Sequence, residues 1–192
     1  GHLVATYFVA LYGFEAMAAY GIGIRVEQLM LLPILGISTA MLSIVSNNFG
    51  AKRYDRIREA IKIGLSYGYA ICLLSVIVFY FFGELVVSLF DDNEKVIAYS
   101  FEYVIIESVT FFAYVSIFIC VSVLQGIKKA QIVSYVSIYR QLLAPFVFFY
   151  FVSIYYTLPL YFMWLSLLVI MTSAALFYLW YMFKMLNTLS NE

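Results

Sequence analysis

The chain has 192 residues, of which 65% are hydrophobic and only 11% charged, and its mean hydropathy is +0.97. Soluble domains carry about 25% charged residues, so a soluble fold of this size has no interior large enough for so much apolar surface. Lys plus Arg and Asp plus Glu number 11 each, for a net charge of zero, which offers nucleic acid no basic surface.

Six apolar stretches follow in chain order, near residues 3–19, 22–49, 57–90, 96–124, 132–152 and 158–186. A helix needs roughly 20 apolar residues to cross a bilayer, and only structures that satisfy their own backbone hydrogen bonds do so. The fold class expected is all-α: a polytopic six-transmembrane-helix bundle in which several spans tilt or extend past the membrane. The chain begins with Gly1 rather than Met and enters an apolar stretch almost at once, so the expectation is a fragment whose first span is truncated.

The turns set the orientation. Residues 48–58 hold Lys52, Arg53, Arg56 and Arg58; residues 126–129 hold Lys128 and Lys129; Lys184 lies at the end of the last span. The alternate turns, 19–21, 91–95 and 155–159, carry one lysine, Lys95. The positive-inside rule puts the basic turns and the C-terminus in the cytoplasm of a multi-pass plasma-membrane protein. Gly50 suits a helix C-cap, and Asp91 or Asp92 suits the N-cap of the fourth span. Pro33 and Pro145 fall inside spans, where they are expected to kink or unwind the helix.

Ionisable groups inside spans are costly and face the bundle interior. Six qualify: Glu15, Arg25, Glu27, Glu102, Glu107 and Arg140. Glu15 and Arg25 flank the turn at 19–21 and are placed to pair across it. Glu27 lies deeper, above Pro33, and holds a proton or cation or is satisfied by a neighbouring Tyr or Ser. Glu102 and Glu107 are five apart, diverge by about 140° and form no single carboxylate pair; Glu107 is nearer mid-membrane. Arg140 neutralises Glu107 or faces an inner vestibule. Cys72 and Cys120 lie inside apolar stretches with no CxxC or His/Cys cluster, which reads as packing rather than a disulfide or a metal site. No nucleophile elbow, HExxH, Walker loop or acid pair at one depth points to an enzyme.

Several strings carry a family resemblance: Ala18-Ala19-Tyr20-Gly21-Ile22-Gly23-Ile24-Arg25-Val26-Glu27-Gln28-Leu29, Leu32-Pro33-Ile34-Leu35-Gly36, Asn47-Asn48-Phe49-Gly50-Ala51, Tyr54-Asp55-Arg56-Ile57-Arg58-Glu59-Ala60 and Leu124-Gln125-Gly126-Ile127. Together they resemble the C-terminal half of the multidrug and toxic compound extrusion (MATE) family. The resemblance implies that residues 1–192 form the second six-helix lobe of a twelve-helix transporter, with the N-terminal lobe of the same polypeptide as partner. It implies an antiporter in the lipid bilayer that exports small amphipathic, often cationic organic compounds in exchange for protons or sodium, with no other cofactor. Some branches carry an acid on the fourth helix about twelve residues before the Gly of the Leu-Gln-Gly turn; here that position is Tyr114. The rival readings are a lipid-linked oligosaccharide flippase of the same superfamily, which calls for a more cationic lumen, and a non-transporting membrane assembly subunit. The residues expected along an ion or substrate pathway are Glu27, Arg25, Glu107, Arg140 and Tyr114.

Overall fold

The computed structural model describes residues 2–189, and every regular element among them is helical. α1 (His2–Val9) runs into a single 3-10 turn (Ala10–Tyr12). The long helices are α2 (Phe14–Gly50), α3 (Tyr54–Ser88), α4 (Glu94–Gly126), α5 (Ala130–Tyr155) and α6 (Tyr161–Leu189). These five are long and apolar enough to cross a membrane, whereas α1 is not. α2 has 37 residues and is about 55 Å long at 1.5 Å per residue, far beyond the roughly 30 Å hydrocarbon core.

The first turn lies elsewhere than the sequence suggested. Ala19, Tyr20 and Gly21 continue α2, and the break falls at Gly13, at φ 101°, a conformation that side chains disfavour. The stretch expected at 3–19 is therefore split between α1 and α2. Glu15 and Arg25 share one helix, about 15 Å apart along it, and form no pair across a hairpin. Gly50 is helical rather than the cap. The left-handed residue at this helix end is Lys52 (φ 55°), and the corresponding one after α4 is Lys128 (φ 61°). In both turns the next residue bonds back to the carbonyl five before it: Arg53 N–H to Asn48 at 2.9 Å and Lys129 N–H to Leu124 at 2.7 Å. α4 is capped by Asn93, not by Asp91 or Asp92. Asn93 Oδ1 accepts from Lys95 and Val96, while Asp91 Oδ1 accepts from the Asn93 N–H.

The two prolines behave differently. α2 runs through Pro33 without unwinding; that residue is exposed, so its ring leaves the bundle side of the helix undisturbed. Pro145 follows a π turn, Tyr139–Leu143, and a second π turn, Phe151–Tyr155, closes α5. Pro145 has no N–H for the Gln141 carbonyl, and the widened turn sits where that bond is missing.

α4 is the central helix: 72% of its most apolar window is buried, against 17% for α2. It touches α2, α3 and α6. Small residues allow the close approach. A methyl on Gly126 would meet Val45 Cγ1 at 2.7 Å, and one on Gly68 would overlap Val115. Hydroxyls tie the same helices together, Ser38 to Ser122 at 2.7 Å and Tyr69 to Ser116 at 2.7 Å. The basic turns gather at one end, where Arg58 Nη2 donates to Asn187 Oδ1 at 2.9 Å.

Candidate functional site

The buried side chains fall into two apolar clusters. One holds Ile34, Met41, Phe111, Leu124, Val136 and Tyr178 toward the basic end; the other holds Tyr20, Val26, Val104, Ile106, Phe149 and Trp164 toward the opposite end. Along α2 the boundary falls between Val26 and Ile34, and along α4 between Ile106 and Phe111. The buried acids Glu27 and Glu107 stand at that boundary, each 4% exposed.

Helix periodicity builds the site. On α4, Tyr103, Glu107 and Tyr114 are spaced four and seven residues apart, so they share one face. On α2, Tyr20, Gly23, Glu27 and Leu31 do the same. Tyr103 Oη donates to Glu27 Oε2 at 2.9 Å, and Tyr114 Oη donates to Glu27 Oε1 at 3.1 Å. Tyr114 and Glu107 line the same cavity. Around Tyr103 an aromatic packing fixes the ring: it meets Trp164 edge-on at 4.9 Å and Tyr20 edge-on at 5.7 Å.

Glu27, Glu107, Tyr114, Arg140, Pro145 and Met171 are among the residues lining a cavity of about 220 Å³. Arg140, on the first π turn of α5, does not neutralise Glu107; it forms no ion pair with either acid. Its Nη1 instead lies 3.5 Å from the Met171 thioether, and its Nε is buried with no partner. Glu27 is therefore held by tyrosine hydroxyls rather than by a cation. A carboxylate moved into an apolar interior loses several kcal/mol of hydration, which hydroxyl donors offset only in part. Two acids in one cavity form a place where a proton or small cation gains most.

The site is narrower in some respects than the sequence suggested and richer in others. Arg25 is exposed and takes no part in lining the cavity. Glu102 is half-buried and outside it. Two acids do share one depth, contrary to the sequence reading, because they come from different helices. Sequence reasoning missed Tyr103 and Tyr20. The signal for Tyr103 was its four-residue spacing from Glu107, indistinguishable from ordinary core periodicity in a chain with 18 Tyr. Cys72 and Cys120 are buried free thiols.

The MatE family model matches residues 1–151. The chain belongs to the MatE family. This MatE chain is 30% identical over 88 residues to the probable multidrug resistance protein YoeA of Bacillus subtilis, covering 46% of the chain and 19% of the relative. It is 31% identical over 98 residues to the multidrug export protein MepA of Staphylococcus haemolyticus, covering 50% and 21%. It is 26% identical over 92 residues to an FAD transporter of Shewanella oneidensis, covering 48% and 20%. Among solved structures, a MOP superfamily transporter from Pyrococcus furiosus matches with TM-score 0.91 at 20% identity, over 98% of this chain and 42% of that one. A multidrug resistance MATE transporter matches in its outward-facing form with TM-score 0.91 at 19% identity, over 98% of this chain and 42% of that one. In an inward-facing form the TM-score is 0.89 at 20% identity, over 98% and 44%. These structural likenesses are of fold. The MatE chain spans less than half the length of the solved transporters, and it is a multi-pass membrane protein.

Proposed function

We propose that this MatE chain is the C-terminal lobe of a twelve-helix plasma-membrane exporter that trades a proton or sodium ion for amphipathic, often cationic organic compounds. Its basic turns and C-terminus face the cytoplasm, and an N-terminal lobe of the same polypeptide supplies the facing wall. The observation that carries this reading is the pair Glu27 and Glu107, both buried at the boundary between the two apolar clusters and lining one cavity, with Glu27 held by two tyrosine hydroxyls. Acids at this depth that lack a cationic partner belong to a pathway, and repeat-built transporters bind near the midplane, between bodies that rock. The similar fit to outward- and inward-facing folds supports a lobe that moves as one body. Arg140 is the only Lys or Arg among the residues lining the cavity, which speaks against a lumen built for pyrophosphate.

The test is ion-driven efflux by the full-length protein, normalised to protein in the membrane. Glu27→Gln still accepts from one tyrosine and donates its amide N–H to the other hydroxyl, but cannot carry the charge, and it should lower coupled efflux about tenfold or more at near-normal protein level. Glu27→Leu, which strands two buried hydroxyls, should lower protein level instead. Wild-type rate and ion dependence in Glu27→Gln would remove this acid from coupling.

A further inference from the structure

One charged side chain lining the cavity, Arg140, has no ionic partner among the described residues. The Arg140 guanidinium is permanently cationic and presents five donors. Its Nη1 meets only a thioether, a weak acceptor, and its Nε is buried and unbonded. Both Glu27 and Glu107 line the same cavity, yet neither closes on it.

The backbone of α5 is built to aim this group. In a regular α-helix, residues 140 and 145 point about 140° apart and do not line one cavity. The π turn at Tyr139–Leu143 widens the helix to an i→i+5 pattern, which brings Arg140 onto the side of Pro145; both line the cavity, with Gln141 between them. The helix thus carries a local distortion at the position where its only in-span cation enters a polar cleft. The cleft presents a cationic donor on α5 facing two carboxylates on α2 and α4, with the rings of Tyr20, Tyr114 and Phe118 along its walls.

We propose that this cavity takes a small zwitterionic aromatic molecule: its ammonium lies against Glu27 and Glu107, and its carboxylate is bound by the two terminal nitrogens of Arg140. This rests on the pathway reading above and extends it to the substrate's charge pattern. A guanidinium and a carboxylate match as a fork, with two parallel charge-assisted bonds. A substrate with only a cationic end leaves Arg140 as unsatisfied as it is in the structure.

Binding to the purified full-length protein in phosphatidylglycerol vesicles, whose headgroup carries no ammonium, tests this with phenylalanine and phenylalanine methyl ester. Both probes carry the ammonium; only the first carries the carboxylate. The wild type should bind phenylalanine more tightly than the ester. Arg140→Gln should weaken phenylalanine by about tenfold or more and leave the ester within about twofold. Arg140→Lys, which keeps the charge and loses the fork, should fall between the two. Glu27→Gln should weaken both probes. If it weakens neither while Arg140→Gln still acts on phenylalanine alone, the cation reading of Glu27 fails and the Arg140 subsite stands. Equal binding of the two probes by the wild type, failure of phenylalanine to bind, or equal loss of both probes in the Arg140 variants would overturn the proposal.

Discussion

Gly23 of α2 lies against the Tyr103 ring of α4 so closely that a methyl group on Gly23 would overlap it. Four residues on, one turn along the same face, Glu27 receives the hydroxyl of that ring. The missing side chain at position 23 is thus what lets the hydroxyl of Tyr103 reach the carboxylate at position 27.

Gly23→Ala is expected to destabilise the bundle by about 1–3 kcal/mol through overpacking, and to impair transport in the molecules that still fold. Gly21→Ala is the control: that glycine has open space around it, and alanine is the better helix former. Thermal unfolding of both variants in detergent should separate them by several degrees, with Gly21→Ala at or above the wild type. A Gly23→Ala protein as stable as Gly21→Ala would contradict the contact.

Tyr114→Phe keeps the ring, which stacks on Phe118 with centroids 6.4 Å apart, and deletes one of the two hydroxyl donors to Glu27. A hydrogen bond to a charged group contributes about 1.5–3 kcal/mol, so ion-driven efflux should fall about tenfold with protein level unchanged. Tyr103→Phe should act similarly. The double variant should depart from the sum of the two, because both donors serve one carboxylate. Strict additivity would mean that the two hydroxyls do not meet at Glu27.

Single cysteines test the orientation. Cys72 and Cys120 are buried, which keeps the background labelling low. Arg53→Cys and Lys129→Cys should resist an impermeant thiol reagent in intact cells, and Asp92→Cys should react. Lys129 is preferred to Lys128, which sits at φ 61°, and Asp92 to Asn93, which caps α4. Labelling of the first two from outside, with the third protected, would reverse the orientation.

The class of fold was legible because it follows from quantities that add along the chain. Apolar runs of membrane length, separated by charged turns, have one stable solution in lipid: helices that close their own hydrogen bonds. The turns after α2, α3 and α4 were readable for the same reason, since charge is local, but their caps were not: Gly50 is helical, and Asn93 rather than Asp91 or Asp92 caps α4. The first turn was not. The string Ala19-Tyr20-Gly21 carries a glycine at a plausible place, but nothing in the string says whether that glycine turns or continues the helix. Packing of Ala16, Ala19, Tyr20 and Gly23 against neighbouring helices decides for continuation, and the backbone at Gly13 takes the break.

The site divides along the same line. The sequence by itself determined that Glu27, Glu107 and Arg140 lie deep in apolar spans, where an ionisable side chain is too costly to face lipid. Only the tertiary structure decided that Glu27 and Glu107 meet in one cavity, that tyrosines rather than arginine hold Glu27, and that Arg25 points away. Those outcomes depend on the rotation of α2 against α4, set by Gly23 beneath Tyr103, and on the π turn that re-aims α5. A rotation of one helix about its axis leaves its own periodicity unchanged while altering every partner it meets, so no pattern within a single span encodes it.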